Sequence, residues 1–338
     1  MDMNLLRELC LLNGTSGDES NVSNYIISHL PKDCTYSVDA LGNLIVNKKG
    51  KNTPKNKVAL FAHMDEVGFI VTYITDDGFV HLAPVGGIDD SALFGKRLVC
   101  NGRNGVAGGK PIHLCNEEES KIIPKIEDIS ADFGFESKEE AEKYIALGDF
   151  AYFKSDFIEF GDDKIKSKAL DDRALCAVLL EILNEQSDFD YTVVFTVQEE
   201  IGTRGATVSA YSVKPQYAIV AETTTASDIP DTKEHKKVCK VGEGAVVSFM
   251  DRRTLYNKEL YKRAFDLAKI NNIPCQTKTV VAGGNDAGAI HTSCGGVKTI
   301  AVSVPTRYIH SSSSVCSKKD IESVKREILC LLEDFLNA

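Results

Sequence analysis

Several residue types and patterns are scarce or absent in this sequence of 338 residues. It has no tryptophan, so only tyrosine and phenylalanine could stack on a sugar ring. Its ten cysteines include no CxxC pair, which argues against a thiolate zinc site and a thioredoxin-type redox motif. We therefore expect the cysteines to be reduced thiols in a cytoplasmic protein.

Positive charge is also in deficit. The chain carries 39 Lys and Arg against 49 Asp and Glu, a formal net charge of −10. A negative surface argues against nucleic acid and anionic membranes as partners. No apolar run approaches the length of a membrane span, and the first residues lack the basic and apolar segments of a signal peptide. The expectation is a globular cytoplasmic protein that binds neither nucleic acid nor membrane.

Short apolar runs and helical patterns alternate along most of the chain. Runs typical of buried strands occupy residues 58–62, 191–197, 217–221 and 299–304. Helical patterns lie between and after them, at residues 173–183, 258–272 and 320–336. This alternation predicts an α/β fold with a mixed, largely parallel central sheet.

Residues 68–162 differ from the rest, because they contain many short strand-like pieces and glycine clusters. One helical candidate, SKEEAEKYIALG at 137–148, lies among them. We interpret 68–162 as a small β-rich domain inserted into the α/β domain. The catalytic domain is then discontinuous and comprises residues 1–67 and 163–338.

Polar residues that could carry chemistry come directly after the predicted strands or at the start of a helix. They are His63 and Asp65, Asp171 and Asp172, Glu199 and Glu200, Glu222, and His310. Ligands of open α/β sheets gather at the carboxyl ends of strands, so these side chains are expected to meet. Glu199 and Glu200 are adjacent and can face one site only if the chain turns there, which Gly202 and Gly205 allow.

Each of these residues has an ordinary structural explanation when taken alone. His63 could be a core histidine paired with Asp65, the aspartates could cap a helix, and the glutamates could lie in a solvated loop. Together, two histidines and several carboxylates suit a pair of divalent ions, with zinc or cobalt preferred. Two such cations would activate a bridging water, and a carboxylate that is not a ligand would take its proton.

Eight motifs, in this order and spacing, resemble those of the M42 (glutamyl) aminopeptidases. This family includes the tetrahedral TET peptidases and proteins formerly labelled cellulase or endoglucanase M. The resemblance covers nearly the whole chain and is carried by AHMDEVGFIV, PVGGIDD, GKPIHL, KALDDR, VQEEIGTRGA, AETTTASDIPD, GGNDAGAIH and PTRYIHS.

The resemblance implies a role for each matching residue. His63, Asp171 and Glu222 would bind one metal ion. Asp171, Glu200 and His310 would bind the second, so that Asp171 bridges the two. Glu199 would be the general base and then protonate the leaving amine, and Asp65 would orient His63. The implied reaction is removal of N-terminal residues from peptides through a metal-bridged water.

The resemblance also implies an architecture and an assembly. Helices would cover both faces of the sheet, as in di-zinc aminopeptidases, and residues 68–162 would form a β-barrel-like or PDZ-like dimerisation domain. Dimers would assemble into a tetrahedral, hollow dodecamer that admits peptides. Asn285 stands where many members have threonine, and Asp286 and His291 are candidates for the lining of the site.

Other functions remain open at this point. A different di-metal amidohydrolase, such as a deacylase or a carboxypeptidase, would use the same chemistry. An endoglucanase would need two carboxylates roughly 5–9 Å apart, which adjacent Glu199 and Glu200 match poorly. A non-catalytic, metal-stabilised module is the third alternative. The preferred N-terminal residue is not specified, although Arg252, Arg253 or Arg307 near the site would favour acidic side chains.

Overall fold

A computed structural model describes residues 1–337 and contains eight α-helices and seventeen strands in that range. The helices are α1 Met3–Leu11, α2 Ser20–Ser28, α3 Lys138–Ala141, α4 Leu170–Asn184, α5 Arg204–Val213, α6 Lys258–Ile270, α7 Ala287–Ile290 and α8 Lys318–Asn337. The strands are β1 Cys34–Val38, β2 Leu44–Lys48, β3 Val58–His63, β4 Gly68–Ile74, β5 Val80–Val85, β6 Arg97–Cys100, β7 Arg103–Gly108, β8 Ser130–Asp132, β9 Phe150–Phe153, β10 Ile158–Phe160, β11 Lys164–Ser167, β12 Tyr191–Thr196, β13 Tyr217–Thr225, β14 Ala245–Ser248, β15 Cys275–Lys278, β16 Lys298–Thr306 and β17 Ser314–Ser317.

An eight-stranded mixed sheet forms the centre of the protein, in the order β1-β2-β12-β3-β13-β16-β14-β15. Strands β12, β3, β13 and β16 are parallel to their neighbours within this group. The β1–β2 hairpin extends one side in antiparallel pairing, and β14 pairs antiparallel with β16 on the other. The four parallel strands are the apolar runs that the sequence predicts, and β3 and β12 are buried along their whole length.

Helices cover both faces of this sheet, which confirms the predicted fold class. On one face, α4 packs against β3 and β13 and is itself covered by α1 and α8. The residues of α4 from Leu170 to Leu183 are all buried except Glu181, and they hold the helix against the sheet. On the other face, α5 and α7 cover the sheet through small residues such as Ala206, Ala210 and Ala287. The carboxyl ends of the parallel strands stay open between these layers.

A closed six-stranded barrel follows β3 in the chain, in the order β4-β5-β8-β7-β6-β9. It has a hydrophobic core of its own, which includes Phe69, Leu98 and Phe153. The barrel strands run from Gly68 to Phe153, and β10 pairs instead with β11 in a small sheet with β17. The division into residues 1–67 with 163–338 and residues 68–162, and the dimerisation role of the insert, stay predictions.

The helical candidate at 137–148 forms only the short helix α3, and the remainder consists of turns that lead to β9. None of the helices within residues 1–337 combines the length and the apolar character that crossing a bilayer requires.

Candidate metal centre

The carboxyl ends of the four parallel strands bring the expected polar residues together. His63 is the last residue of β3, Glu222 lies towards the end of β13, and His310 follows β16. Glu199 and Glu200 come three and four residues after β12, and Asp171 lies in the first turn of α4. The strands thus place the histidines and glutamates at one edge of the sheet, where α/β folds bind ligands, and the start of α4 places Asp171 among them.

Asp171 lies at the middle of this group. Its Oδ1 is 3.2 Å from Nε2 of His63, and its Oδ2 is 3.3 Å from Nε2 of His310. The two oxygens of one carboxylate therefore face two different imidazoles. Asp171 can occupy this position because the backbone is not helical there, with φ −83° and ψ 104°.

Two groups of three potential ligands share this aspartate. In the first, Nε2 of His63 is 3.5 Å from Oε1 of Glu222; in the second, Nε2 of His310 is 3.2 Å from Oε2 of Glu200. Within each group, one ligand atom per residue lies within 4.8 Å of the others. The five residues predicted as metal ligands are therefore all present, and they divide into the two triads His63–Asp171–Glu222 and Asp171–Glu200–His310.

Both histidines are oriented by backbone carbonyls. Nδ1 of His63 is 3.0 Å from the carbonyl oxygen of Asp65, and Nδ1 of His310 is 2.7 Å from that of Gly87. A carbonyl only accepts hydrogen bonds, so each Nδ1 carries a proton, and Nε2 is the nitrogen that is left to bind a metal ion once the imidazole is neutral. This is the arrangement that a metal-binding imidazole requires. Gly87 belongs to the PVGGIDD motif.

The chain turns sharply at Glu199 and Glu200, so both carboxylates border the same cavity. Gln198 has φ 55° and Gly202 has φ 117°, which bend the backbone away from the line of β12. Asp65 holds this turn, because its carboxylate accepts the N–H groups of Glu199 at 3.0 Å and Glu200 at 3.1 Å.

Asp65 therefore does more than face His63. It is fully buried, it accepts a 2.6 Å hydrogen bond from Ser16, and its Oδ1 is 3.4 Å from Nδ1 of His63. One carboxylate thus fixes both an imidazole and the Glu199–Glu200 turn. Sequence reasoning missed the second contact, since nothing in the spacing of the motifs indicates which backbone groups Asp65 accepts.

The electrostatics of the site fit divalent cations. Burial raises the pKa of Glu200 to about 8, and burial likewise raises the pKa values of Glu222 and Glu199. Burial would also raise the pKa of Asp171, but His310 and His63 outweigh it and hold that pKa below its usual range. Converging buried carboxylates without enough positive charge are costly, and cations bound by the two triads would relieve that repulsion.

The triads lie in a cavity of about 480 Å³. Asn285 and Arg253 border it, whereas Asp286, His291, Arg252 and Arg307 are not among the described residues that line it. Asp286 is buried behind the site, where its Oδ2 accepts a 2.6 Å hydrogen bond from Thr196. Arg307 pairs instead with Asp228 through two hydrogen bonds of 2.6 and 2.7 Å.

Residues 42–326 match the profile of the M42 glutamyl aminopeptidases. The chain belongs to the M42 glutamyl aminopeptidase family. A relative from Acetivibrio thermocellus is 38% identical over 333 residues, which span 96% of this chain and 98% of the relative. The predicted family and the predicted class of enzyme, a metal-dependent aminopeptidase, are thereby confirmed.

Solved structures agree with this M42 assignment. The aminopeptidase APDkam598 of the archaeon Desulfurococcus kamchatkensis has a TM-score of 0.91 and 32% identity, covering 98% of this chain and 94% of its own. The TET1 peptidase of Pyrococcus horikoshii has a TM-score of 0.86 and 33% identity, covering 97% and 98%. The latter can assemble into a tetrahedron or a large octahedral shell.

Proposed function

We propose that this M42 protein removes N-terminal residues from peptides with two divalent metal ions, zinc or cobalt, bound by the two triads. His63, Asp171 and Glu222 hold one ion, and Asp171, Glu200 and His310 hold the other. The observation that carries the proposal is the shared Asp171, whose two oxygens face two histidines that both present Nε2. Imidazole and carboxylate ligands suit zinc and cobalt.

Glu199 is the general base in this proposal. It borders the cavity beside both triads, and its carboxylate forms no hydrogen bond or ion pair with any residue from 1 to 337. When bound, the metal ions supply Lewis-acid chemistry, which polarises the scissile carbonyl and makes water more acidic. Glu199 then accepts the proton of the attacking water and passes it to the leaving amine. Asp65 keeps Glu199 in place through the backbone of the turn.

We further propose that the chain forms a cytoplasmic homo-oligomer, with dimers arranged as a tetrahedral dodecamer. The shell assemblies of the Pyrococcus horikoshii TET1 peptidase support this proposal, since the two folds correspond over almost their whole lengths. Residues 68–162 would supply the dimer contacts, because their barrel has its own core and follows directly after β3. Analytical ultracentrifugation tests the assembly.

The catalytic proposal is tested with Glu199→Gln and with Glu243→Gln as the matched control, because Glu243 is exposed and does not border the cavity. Turnover of aminoacyl p-nitroanilides should fall about a thousandfold in Glu199→Gln, the order of magnitude of a lost general base. Metal content should remain two ions per subunit in both variants. Retained turnover in Glu199→Gln would overturn the role of Glu199.

The same preparation separates the alternative functions. N-acetylated amino acids, peptides blocked at the N-terminus and cellulose are offered beside free aminoacyl substrates, with and without a chelator. We expect hydrolysis only where the N-terminal amine is free, and we expect the chelator to abolish it. Cleavage of blocked peptides or of cellulose, with free aminoacyl substrates untouched, would overturn the aminopeptidase proposal.

A further inference from the structure

Glu19 is a buried acid that has no part in the proposed mechanism. It is 7% exposed and stands directly before α2, yet its side chain does not cap that helix. Its Oε1 instead accepts two backbone N–H groups, that of Gly17 at 2.9 Å and that of Gln198 at 3.1 Å. Such partners are needed because an unpaired buried carboxylate is costly. Glu19 therefore joins the N-terminal part of the chain to the turn that carries Glu199.

The turn after β12 donates three consecutive N–H groups to two buried carboxylates. The N–H of Gln198 donates to Glu19. Those of Glu199 and Glu200 donate to Asp65. Gln198 has φ 55°, a left-handed conformation that is unfavourable for a residue with a side chain, and the hydrogen bond to Glu19 stabilises it there. Because Glu199 is the next residue, the backbone of Gln198 sets the direction in which the Glu199 side chain leaves the turn.

Residues 14–19, which we call the N-terminal loop, are fixed to the segment that follows β3. Oγ1 of Thr15 donates a 2.7 Å hydrogen bond to the carbonyl of Glu66. Oγ of Ser16 donates one of 2.6 Å to Oδ2 of Asp65. Both acceptors lie just after the end of β3. The N-terminal loop is therefore held against the same strand end that carries a metal ligand.

The inserted barrel also contacts the N-terminal loop. The hydroxyl of Tyr152 in β9 donates a hydrogen bond to Oδ2 of Asp18, the residue before Glu19. Tyr152 is itself buried. The ring of Phe150, in the same strand, lies 3.6 Å from the point where a Cβ on Gly17 would stand. These contacts fix the loop at the residues next to Glu19.

We propose that Glu19 is a positioning residue for the general base, and that Tyr152 of the barrel acts on the base through the N-terminal loop. The inference rests on the proposed role of Glu199 in catalysis. Glu19 holds Gln198 in its left-handed conformation, which keeps the carboxylate of Glu199 at the metal-centre cavity. The barrel, by holding the loop, contributes to catalysis in addition to the dimer contacts proposed for it.

Replacing Glu19 by methionine and by glutamine separates the acceptor from the charge. Both N–H groups meet on the single atom Oε1, so glutamine keeps the acceptor and loses only the charge, whereas methionine loses both. With the zinc-loaded protein and an aminoacyl p-nitroanilide, kcat should fall about 10–100-fold in Glu19→Met and stay within about threefold of the wild type in Glu19→Gln. KM and metal content should hardly change, because Glu19 belongs to neither triad and does not border the cavity.

The barrel contact is tested with Tyr152→Phe, which removes only the hydroxyl. We expect kcat to fall roughly fivefold, less than in Glu19→Met, because the hydroxyl acts one residue further from the base. Tyr144→Phe is the matched control, since Tyr144 is exposed in the same inserted segment and its hydroxyl forms no hydrogen bond within residues 1–337. Glu8→Met is the control for Glu19→Met, because it removes an exposed acceptor whose partner is Tyr25. Both controls should keep the wild-type kcat.

A double-mutant cycle with Glu199→Gln decides whether Glu19 acts through the base. If it does, Glu19→Met should not lower the residual turnover of Glu199→Gln any further. An equal fractional loss in both backgrounds would overturn the role of Glu19. So would a wild-type kcat in Glu19→Met, an equally low kcat in Glu19→Gln, or a fall in kcat that only follows a loss of metal.

The remaining outcomes concern the barrel and the proposed function. A wild-type kcat in Tyr152→Phe would overturn the part of the barrel. If Glu19→Met does not fold, the same cycle is run with Tyr152→Phe and Glu199→Gln, and independent losses would overturn the inference. If Glu199→Gln itself retains turnover, the proposed function fails, which is a different result from any of these.

Discussion

Replacing Asp65 by asparagine tests how the metal centre is held in place. The buried carboxylate accepts hydrogen bonds from Ser16 and from the N–H groups of Glu199 and Glu200, and it faces Nδ1 of His63. Asparagine has the same shape but only one acceptor oxygen. Whichever way its amide is turned, the NH₂ group faces one of the two backbone donors, which then loses its acceptor.

The magnitude follows from those contacts. Oδ1 of Asp65 accepts a hydrogen bond from the N–H of Glu199, and Oδ2 accepts hydrogen bonds from the N–H of Glu200 and the hydroxyl of Ser16. Asp65→Asn therefore removes at least one charge-assisted hydrogen bond. Such a bond contributes about 1.5–3 kcal/mol, and unfolding of the metal-free protein should become easier by about that amount. Losing the group that positions a ligand typically lowers metal affinity about 10–100-fold.

Ser16→Ala is the matched control, because it removes one hydrogen bond to Asp65 and leaves both backbone contacts. Denaturant unfolding of the metal-free variants and competition with a chromophoric chelator measure the two effects separately. We expect Ser16→Ala to shift metal affinity much less than Asp65→Asn. Wild-type metal affinity in Asp65→Asn would show that Asp65 positions neither His63 nor the glutamate turn.

Two further predictions concern protons. Glu327 is fully buried without a hydrogen-bond partner, and burial raises its pKa to about 7. Between its ordinary pKa near 4.5 and pH 7, the folded chain therefore holds more protons than the unfolded chain. The stability of the fold consequently falls as the pH rises through this range. At about 1.4 kcal/mol per pKa unit, metal-free Glu327→Met should be up to about 3 kcal/mol more stable than the wild type at pH 8, with little gain near pH 5. The exposed control Glu333→Met should show no gain at either pH. Equal gains of Glu327→Met at both pH values in denaturant unfolding would contradict this prediction. Burial would lower the pKa of His310, but Asp171 and Glu200 outweigh burial and raise this pKa to about 9. Metal binding at pH 8 should therefore release at least one proton, and the metal affinity should increase as the pH rises. A binding heat that is the same in buffers of different ionisation enthalpy, measured by calorimetry, would refute this prediction.

The central sheet could be predicted because its buried strands have a recognisable sequence pattern. Fully buried strands such as β3 and β12 read as unbroken apolar runs, and the polar residue that ends each run marks the open edge. His63, Glu222 and His310 therefore meet for a reason that is visible in the sequence. A turn after β12 could be expected from Gly202, whereas the left-handed conformation of Gln198, which comes before the two glutamates, could not.

The contacts that orient these residues could not be predicted, because they join distant segments through backbone atoms. His310 depends on the carbonyl of Gly87, which lies 223 positions away. Arg307 lies in the PTRYIHS motif, but its charge is paired with Asp228 and does not face the cavity.

Anomalous diffraction from crystals of the zinc-loaded protein, recorded on both sides of the zinc absorption edge, tests the central claim most directly. We expect two peaks per subunit, one among His63, Asp171 and Glu222 and the other among Asp171, Glu200 and His310, with Asp171 between them. A single peak, or peaks that do not share Asp171, would contradict it.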